Sequence, residues 1–148
     1  MTLWRMVLRG IWGARAMGSD WRKMRVLDFA EVIGGGTPRT KIKDYWNGSI
    51  SWITPKDLSN HFGRYISHGE RNISEKGLEN SSARLLPPKT VLLTSRAPVG
   101  YVAIAKNELT TNQGFRSLVV KKGFHPEFIY YLLLLNTDYL KRNASGST

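Results

Sequence analysis

Residues 90–121 read TVLLTSRAPVGYVAIAKNELTTNQGFRSLVVK. Three runs within them, TVLLTS, VGYVAIA and RSLVVK, are rich in Val, Ile, Leu and Tyr. Such side chains fit a pleated, half-buried surface, so each run predicts a strand. Asn107 turns the chain after the second run, and Gly114 stands just before the third. Apolar alternation from Val99 to Ala105 predicts one buried strand face, with Gly100 and Gly114 at bends or close backbone approaches. Three such runs with short connections predict a sheet at the centre of the domain.

Working outward, RNISEKGLENSSARLLPPKT predicts a short helix entered at Ser74 with Glu75 in its first turn, then a stop at Pro87-Pro88. Further upstream, Ile50 to Thr54 reads as a strand ended by Pro55, with an Asn47-Gly48 turn before it. In RKMRVLDFAEVIGGGTP, the apolar pairs Val26-Leu27, Phe29-Ala30 and Val32-Ile33 recur three apart, a helical period. Gly34, Gly35 and Gly36 then read as a helix stop, and Thr37-Pro38 as an extended exit. Downstream, Pro126 suits a first helical position, and a helix from 126 to 143 would span about 27 Å. Phe128, Tyr131, Leu132, Leu135, Tyr139 and Leu140 form an apolar stripe along it, with Lys141 and Arg142 complementing the dipole of its last turn. The fold class is α+β: a mixed or antiparallel twisted sheet with flanking helices.

A chain of 148 residues fits one domain able to bury a core. There is no cysteine, which excludes disulfides and thiolate metal sites and is compatible with the cytoplasm. Net charge is +11. A balance this basic points to a polyanionic partner. Residues 1–25 hold six basic side chains against Asp20, a net of +5, which leaves +6 for the rest. The apolar runs of MTLWRMVLRGIWGARAMGSDW are too short for a signal peptide or a membrane span. Met17 opens MGSDWRKMRVLDF, which reads as a natural start. Residues 1–18 are expected to be an appendage, and residues 19–148 the domain.

Catalytic patterns fail one by one. His61, His68 and His125 stand at no metal-ligand spacing. GGGTPRTK has the glycines of a phosphate loop but places Lys41 after Thr40, and Pro38 removes a donor. The same stretch could instead be a mobile basic loop laid along a phosphate backbone. G-x-S-x-G is absent, as are Glu-x-Lys and Asp-x-Lys. Leu86-Pro87-Pro88-Lys89 has two prolines without the flanks of a base-amino methyltransferase loop. No cofactor is implied. What remains is Arg and Lys mixed with Asn, Gln, Thr, Tyr and Trp, the residue types that hold phosphates and read base edges.

Three blocks, GGGTPRTKIKDYWNGSISWITPKDLSN, RNISEKGLENSSARLLPPKTVLLTSRAPVGYVAIAKNELTTNQGF and YLLLLNTDYLKRNASGST, together resemble the target-recognition domain of type I restriction–modification specificity subunits. The resemblance covers Trp21 to Thr148. It implies a non-catalytic, sequence-specific reader of double-stranded DNA that directs methyltransferase and restriction endonuclease subunits. That family's subunits carry two such domains separated by long paired helices, so this chain resembles an isolated half. Within that frame, Arg39, Lys41, Lys43, Lys56 and Arg64 are the expected phosphate contacts, followed by Arg71 and Arg116. Arg96, Asn112 and Gln113 are read first as ties between loops and sheet, with a place at the DNA face as the alternative. The competing reading is a protein-interaction piece that docks a methyltransferase subunit, or pairs into a homodimer, through Phe128, Leu132, Leu135 and Tyr139. A deeply packed terminal helix would account for the same stripe. No membrane partner is expected.

Overall fold

A computed structural model describes residues 23–144. The expected appendage, 1–18, lies outside them. A one-turn helix α1, Val26–Phe29, runs straight into strand β1, Ala30–Gly34. The helix expected to reach Ile33 is therefore corrected. From Ala30 pairing with Arg116–Val120 selects a strand, in which the adjacent Val32 and Ile33 pack against opposite clusters. β1 lies antiparallel to β8, Arg116–Val120, in the register Ala30↔Val120 through Gly34↔Arg116.

Two mixed sheets follow. The larger has the order β1-β8-β5-β6-β3, with β5 at Val91–Leu93, β6 at Val102–Ala105 and β3 at Tyr65–Ile66. Its pairs are antiparallel except β3 with β6. The smaller has the order β4-β2-β7, with β4 at Arg71–Ile73, β2 at Trp46–Ile53 and β7 at Thr110–Thr111. The three runs of residues 90–121 become β5, β6 and β8 as expected. β6 buries both faces rather than one. Ala103 and Ala105 enter a cluster with Ile53, Leu86, Leu109 and Phe115, and Ile104 turns to the opposite side with Val91 and Leu118. A strand covered on both sides becomes continuously apolar, and Val102–Ala105 contains no polar residue.

β2 starts four residues earlier than expected. Asn47-Gly48 does not end a strand; it makes a bulge inside one. Asn47 takes a positive φ of 60°, and Trp46 and Ile50 both face Ile73 across the pair. Thr54 caps helix α2, Pro55–Ser59, through its hydroxyl and the Asp57 carboxylate. Ser74 caps helix α3, Glu75–Glu79, as its sequence predicts.

The C-terminal helix divides. α4 covers Pro126–Leu135 and α5 covers Thr137–Ala144. Asn136 bonds its side-chain amide to the Leu132 carbonyl at 2.7 Å, and Thr137 bonds its hydroxyl to the Leu134 carbonyl at 2.7 Å. Side chains that bond their own helix carbonyls compete with the ladder. The buried face is Ile129, Tyr130 and Leu133, continued by Leu140. Of the stripe read from spacing, only Leu140 belongs to it. Phe128, Tyr131 and Tyr139 are exposed, Leu135 is 78% exposed and Leu132 is half-buried. The deeply packed terminal helix is thereby corrected: Phe128, Tyr131, Leu134 and Leu135 stay exposed on its outer face, where the Tyr131 hydroxyl accepts from Arg64.

Candidate nucleic-acid interface

The triple glycine forms the base of the site. It is a strand exit rather than a helix stop. Beyond Gly34 the backbone passes against the end of β7, where the Gly36 N–H donates to the Thr111 carbonyl at 2.9 Å. A Cβ on Gly35 would strike the carbonyls of Thr111 and Asn112, and one on Gly36 the backbone of Ser82 and Ala83. Only glycine allows this approach.

Two indoles hold the loop from below. Trp52 Nε1 donates to the Gly36 carbonyl at 2.9 Å in a buried bond, and Trp46 Nε1 donates to the Arg39 carbonyl at 3.3 Å. The rings meet edge to face, with centroids 5.0 Å apart at 85°. Arg71 lies opposite Trp52 across the β2–β4 pair. Its guanidinium covers the Trp46 ring at 3.6 Å from the centroid and stands 5.6 Å from that of Trp52. The loop is thus anchored at Arg39, whose carbonyl also accepts from the Ile42 N–H. Lys41 is exposed beyond that anchor, and Lys43 opens a 3₁₀ turn, Lys43–Tyr45, that leads into Trp46.

On its other side the loop meets residues 112–116. Thr37 donates its hydroxyl to Gln113 Oε1 at 2.6 Å. Asn112 accepts from the Gly114 N–H through Oδ1 at 2.9 Å, and its own N–H donates to the Ile53 carbonyl at 3.0 Å. Asn112 is thus bonded within its turn and to the sheet, and Gln113 is exposed with its side chain bonded to Thr37. The Gly114 carbonyl accepts from the N–H groups of Ser95 and Arg96 at 2.8 and 3.3 Å. Arg96 is exposed, with its side chain unpaired among the described residues. Arg116 stands opposite Gly34 and donates to the Phe115 carbonyl at 3.1 Å. Arg39, Arg71, Arg96, Asn112, Gln113 and Arg116 are thus joined through one set of contacts, although they come from four separate stretches of chain.

Among the described residues, no group of three His, Asp or Glu side chains could hold a metal ion. No helix there is long and apolar enough to cross a membrane.

The sequence profile of the type I restriction modification DNA specificity domain matches residues 18–148. The chain belongs to this family. It is 57% identical over 131 residues to the MjaIX specificity subunit of Methanocaldococcus jannaschii, an alignment that covers 87% of this chain and 30% of that one. It is 30% identical over 119 residues to the EcoR124I/EcoR124II specificity subunit of Escherichia coli, covering 77% of this chain and 28% of the relative. The specificity domain therefore spans under a third of the length of these relatives. Its fold matches the crystal structure of the HsdS subunit from Thermoanaerobacter tengcongensis with a TM-score of 0.62 at 20% identity, covering 86% of this chain and 31% of that one.

Of the expected phosphate contacts, Lys41 and Lys43 follow on the loop, whereas Lys56 and Arg64 lie on other elements. In this specificity domain Lys56 sits on α2, beside Pro55, which packs on Gly114, and pairs with Glu70 at 3.4 Å. Arg64 is farther away. It donates to the Tyr131 hydroxyl at 2.9 Å and stacks on the Tyr65 ring at 4.9 Å, which joins the β3 edge to α4. Beside it the Tyr65 hydroxyl donates to Glu127 Oε1 at 2.9 Å. The Glu127 carboxyl is held below the ordinary carboxylate range, first by its own backbone N–H and then by that hydroxyl. Sequence reasoning missed Thr37, Trp46 and Trp52. Their signal was slight: two tryptophans an even number of residues apart flanking Asn-Gly, with no sign of which arginine lay across from them.

Proposed function

We propose that this chain is a non-catalytic DNA target-recognition domain, spanning residues 19–148 with residues 1–18 as an appendage. It acts in the cytoplasm and directs the methyltransferase and endonuclease subunits of a type I restriction–modification complex to their site. The observation that carries this reading is the joining of Arg39, Arg71, Arg96, Gln113 and Arg116 around one indole-backed loop. Cations on flexible stems suit phosphates, and an anchored amide and a stacked guanidinium suit base edges. A random-sequence duplex selection at two salt concentrations tests it. A short enriched motif that survives the higher salt is expected. A pool that stays random at both would overturn sequence-specific reading.

The outer face of α4 supports a second role. Phe128, Tyr131, Leu134 and Leu135 are exposed there together. Exposed apolar side chains grouped in this way suit a protein partner. We assign it to a methyltransferase subunit, because the relatives are specificity subunits of restriction enzymes. Light scattering across a concentration series checks the alternative: a mass that doubles would give the face to a second copy of this chain.

A further inference from the structure

We propose that Arg71 is a specificity-determining residue that reads the major-groove edge of a guanine. The proposal rests on the DNA-recognition reading above and deepens it. Arg71 is carried on a strand rather than a loop, directly across from Trp52. Its guanidinium lies 3.6 Å from the centroid of Trp46, and this buried ring is itself fixed by its edge-to-face contact with Trp52 and its bond to the Arg39 carbonyl. The guanidinium face is therefore occupied and its plane is set, while the residue stays exposed. Among the described residues the guanidinium has no hydrogen-bond or ion-pair partner. Its N–H donors fan out from the stacked plane toward solvent. Such an edge matches a planar pair of acceptors, and little ordering entropy is lost when it binds.

Two acceptors of that kind occur on duplex DNA: the O6 and N7 of guanine, and the oxygens of a phosphate. A phosphate accepts from many directions and is served well by a flexible chain. Arg39, Lys41 and Lys43 supply such chains on the adjoining loop, exposed. A guanidinium locked against an indole gains nothing for that task. It gains for guanine, where both donors must meet two atoms in one plane. Trp46 is then a positioning residue.

The test uses the full chain and the duplex enriched by selection. Each guanine in turn is replaced by 7-deazaguanine, which has a C–H in place of the N7 acceptor. The wild-type chain is expected to lose affinity at one guanine. Arg71→Ala should bind the parent duplex about 5- to 150-fold more weakly, the range of one bidentate base contact. The variant should no longer distinguish the deaza duplex from the parent. Arg71→Lys keeps the charge and should not restore discrimination, and circular dichroism verifies that both variants fold. A uniform loss on all duplexes, with a salt slope lower by about 0.9, would make Arg71 a phosphate contact and overturn the proposal. Wild-type affinity in Arg71→Ala would reduce Arg71 to a cover for Trp46, which overturns it equally. Failure of the wild-type chain to bind any duplex at low salt would instead remove the DNA-recognition reading itself.

Discussion

The basic stretch that follows the glycines, Arg39 to Lys41, and the outer face of α4 are both exposed, yet they are built in opposite ways. Around the loop, polar groups are fixed by partners far away in the chain: the Thr37 hydroxyl by Gln113, the Gly36 backbone by Trp52 and Thr111, and the Arg71 guanidinium by Trp46. On α4 the exposed side chains are apolar, and regular helix geometry alone sets their spacing. A site of the first kind can hold donors in fixed directions, as base reading requires. A surface of the second kind offers area without direction, and its attraction does not fade with salt.

The contrast breaks most sharply on stability. In Gly36→Ala the new methyl meets the backbone of Ser82 and Ala83, which cannot swing aside as a flexible side chain can. A loss of about 1–3 kcal/mol is expected from such overpacking. Leu135→Ser, on the 78% exposed outer face, should stay within about 0.5 kcal/mol of the parent. Urea midpoints at constant m-value measure both. Equal effects would mean that the loop is no better anchored than the helix surface.

Salt sharpens the comparison next. Arg39→Ala and Lys41→Ala should each lower the salt slope of duplex binding by about 0.9, roughly a 3.5-fold change in relative affinity across a fourfold change in salt. Leu135→Ser should leave that slope alone. Unchanged slopes in the loop variants would take the loop away from the phosphate backbone.

The smallest effect lies where α4 meets the β3 edge. The Glu127 carboxyl is held below the ordinary carboxylate range, so its bonds add to stability above that range. The contribution fades as pH falls through the depressed value. Removing one of its two donors in Tyr65→Phe should move the Glu127 titration upward, read by NMR of the side-chain carboxyl. A titration that stays put would assign the whole effect to the backbone N–H. The Tyr65–Glu127 bond lies at the surface, so the change in stability itself should be slight.

Particular residues mark how far the sequence could be read. Ser74 and Pro126 announce their helices because capping and the missing proline N–H are local chemistry. Val91–Leu93, Val102–Ala105 and Arg116–Val120 announce strands because their composition fits a buried pleat. The basic loop at 39–43 was legible too. Residues 26–34 were not, because their apolar pairs recur at a helical spacing, and only pairing with β8 makes a strand that sends Val32 and Ile33 to opposite clusters. The site was half legible. Its arginines and Gln113 stood out by type, but nothing local showed that Arg71 would lie over Trp46, or that Arg64 would be drawn to Tyr131 on another element.

Composition, turn chemistry and capping thus establish an α+β domain of basic character, its principal strands and the start of its last helix, since each depends on residues a few positions apart. Strand register decided which residues share the site, because a shift of one position would turn every side chain of a strand to its opposite face. Helix packing decided which side of PEFIYYLLLL is outward. Four consecutive leucines carry no phase, and only the sheet beneath α4 selects Ile129, Tyr130 and Leu133 for burial.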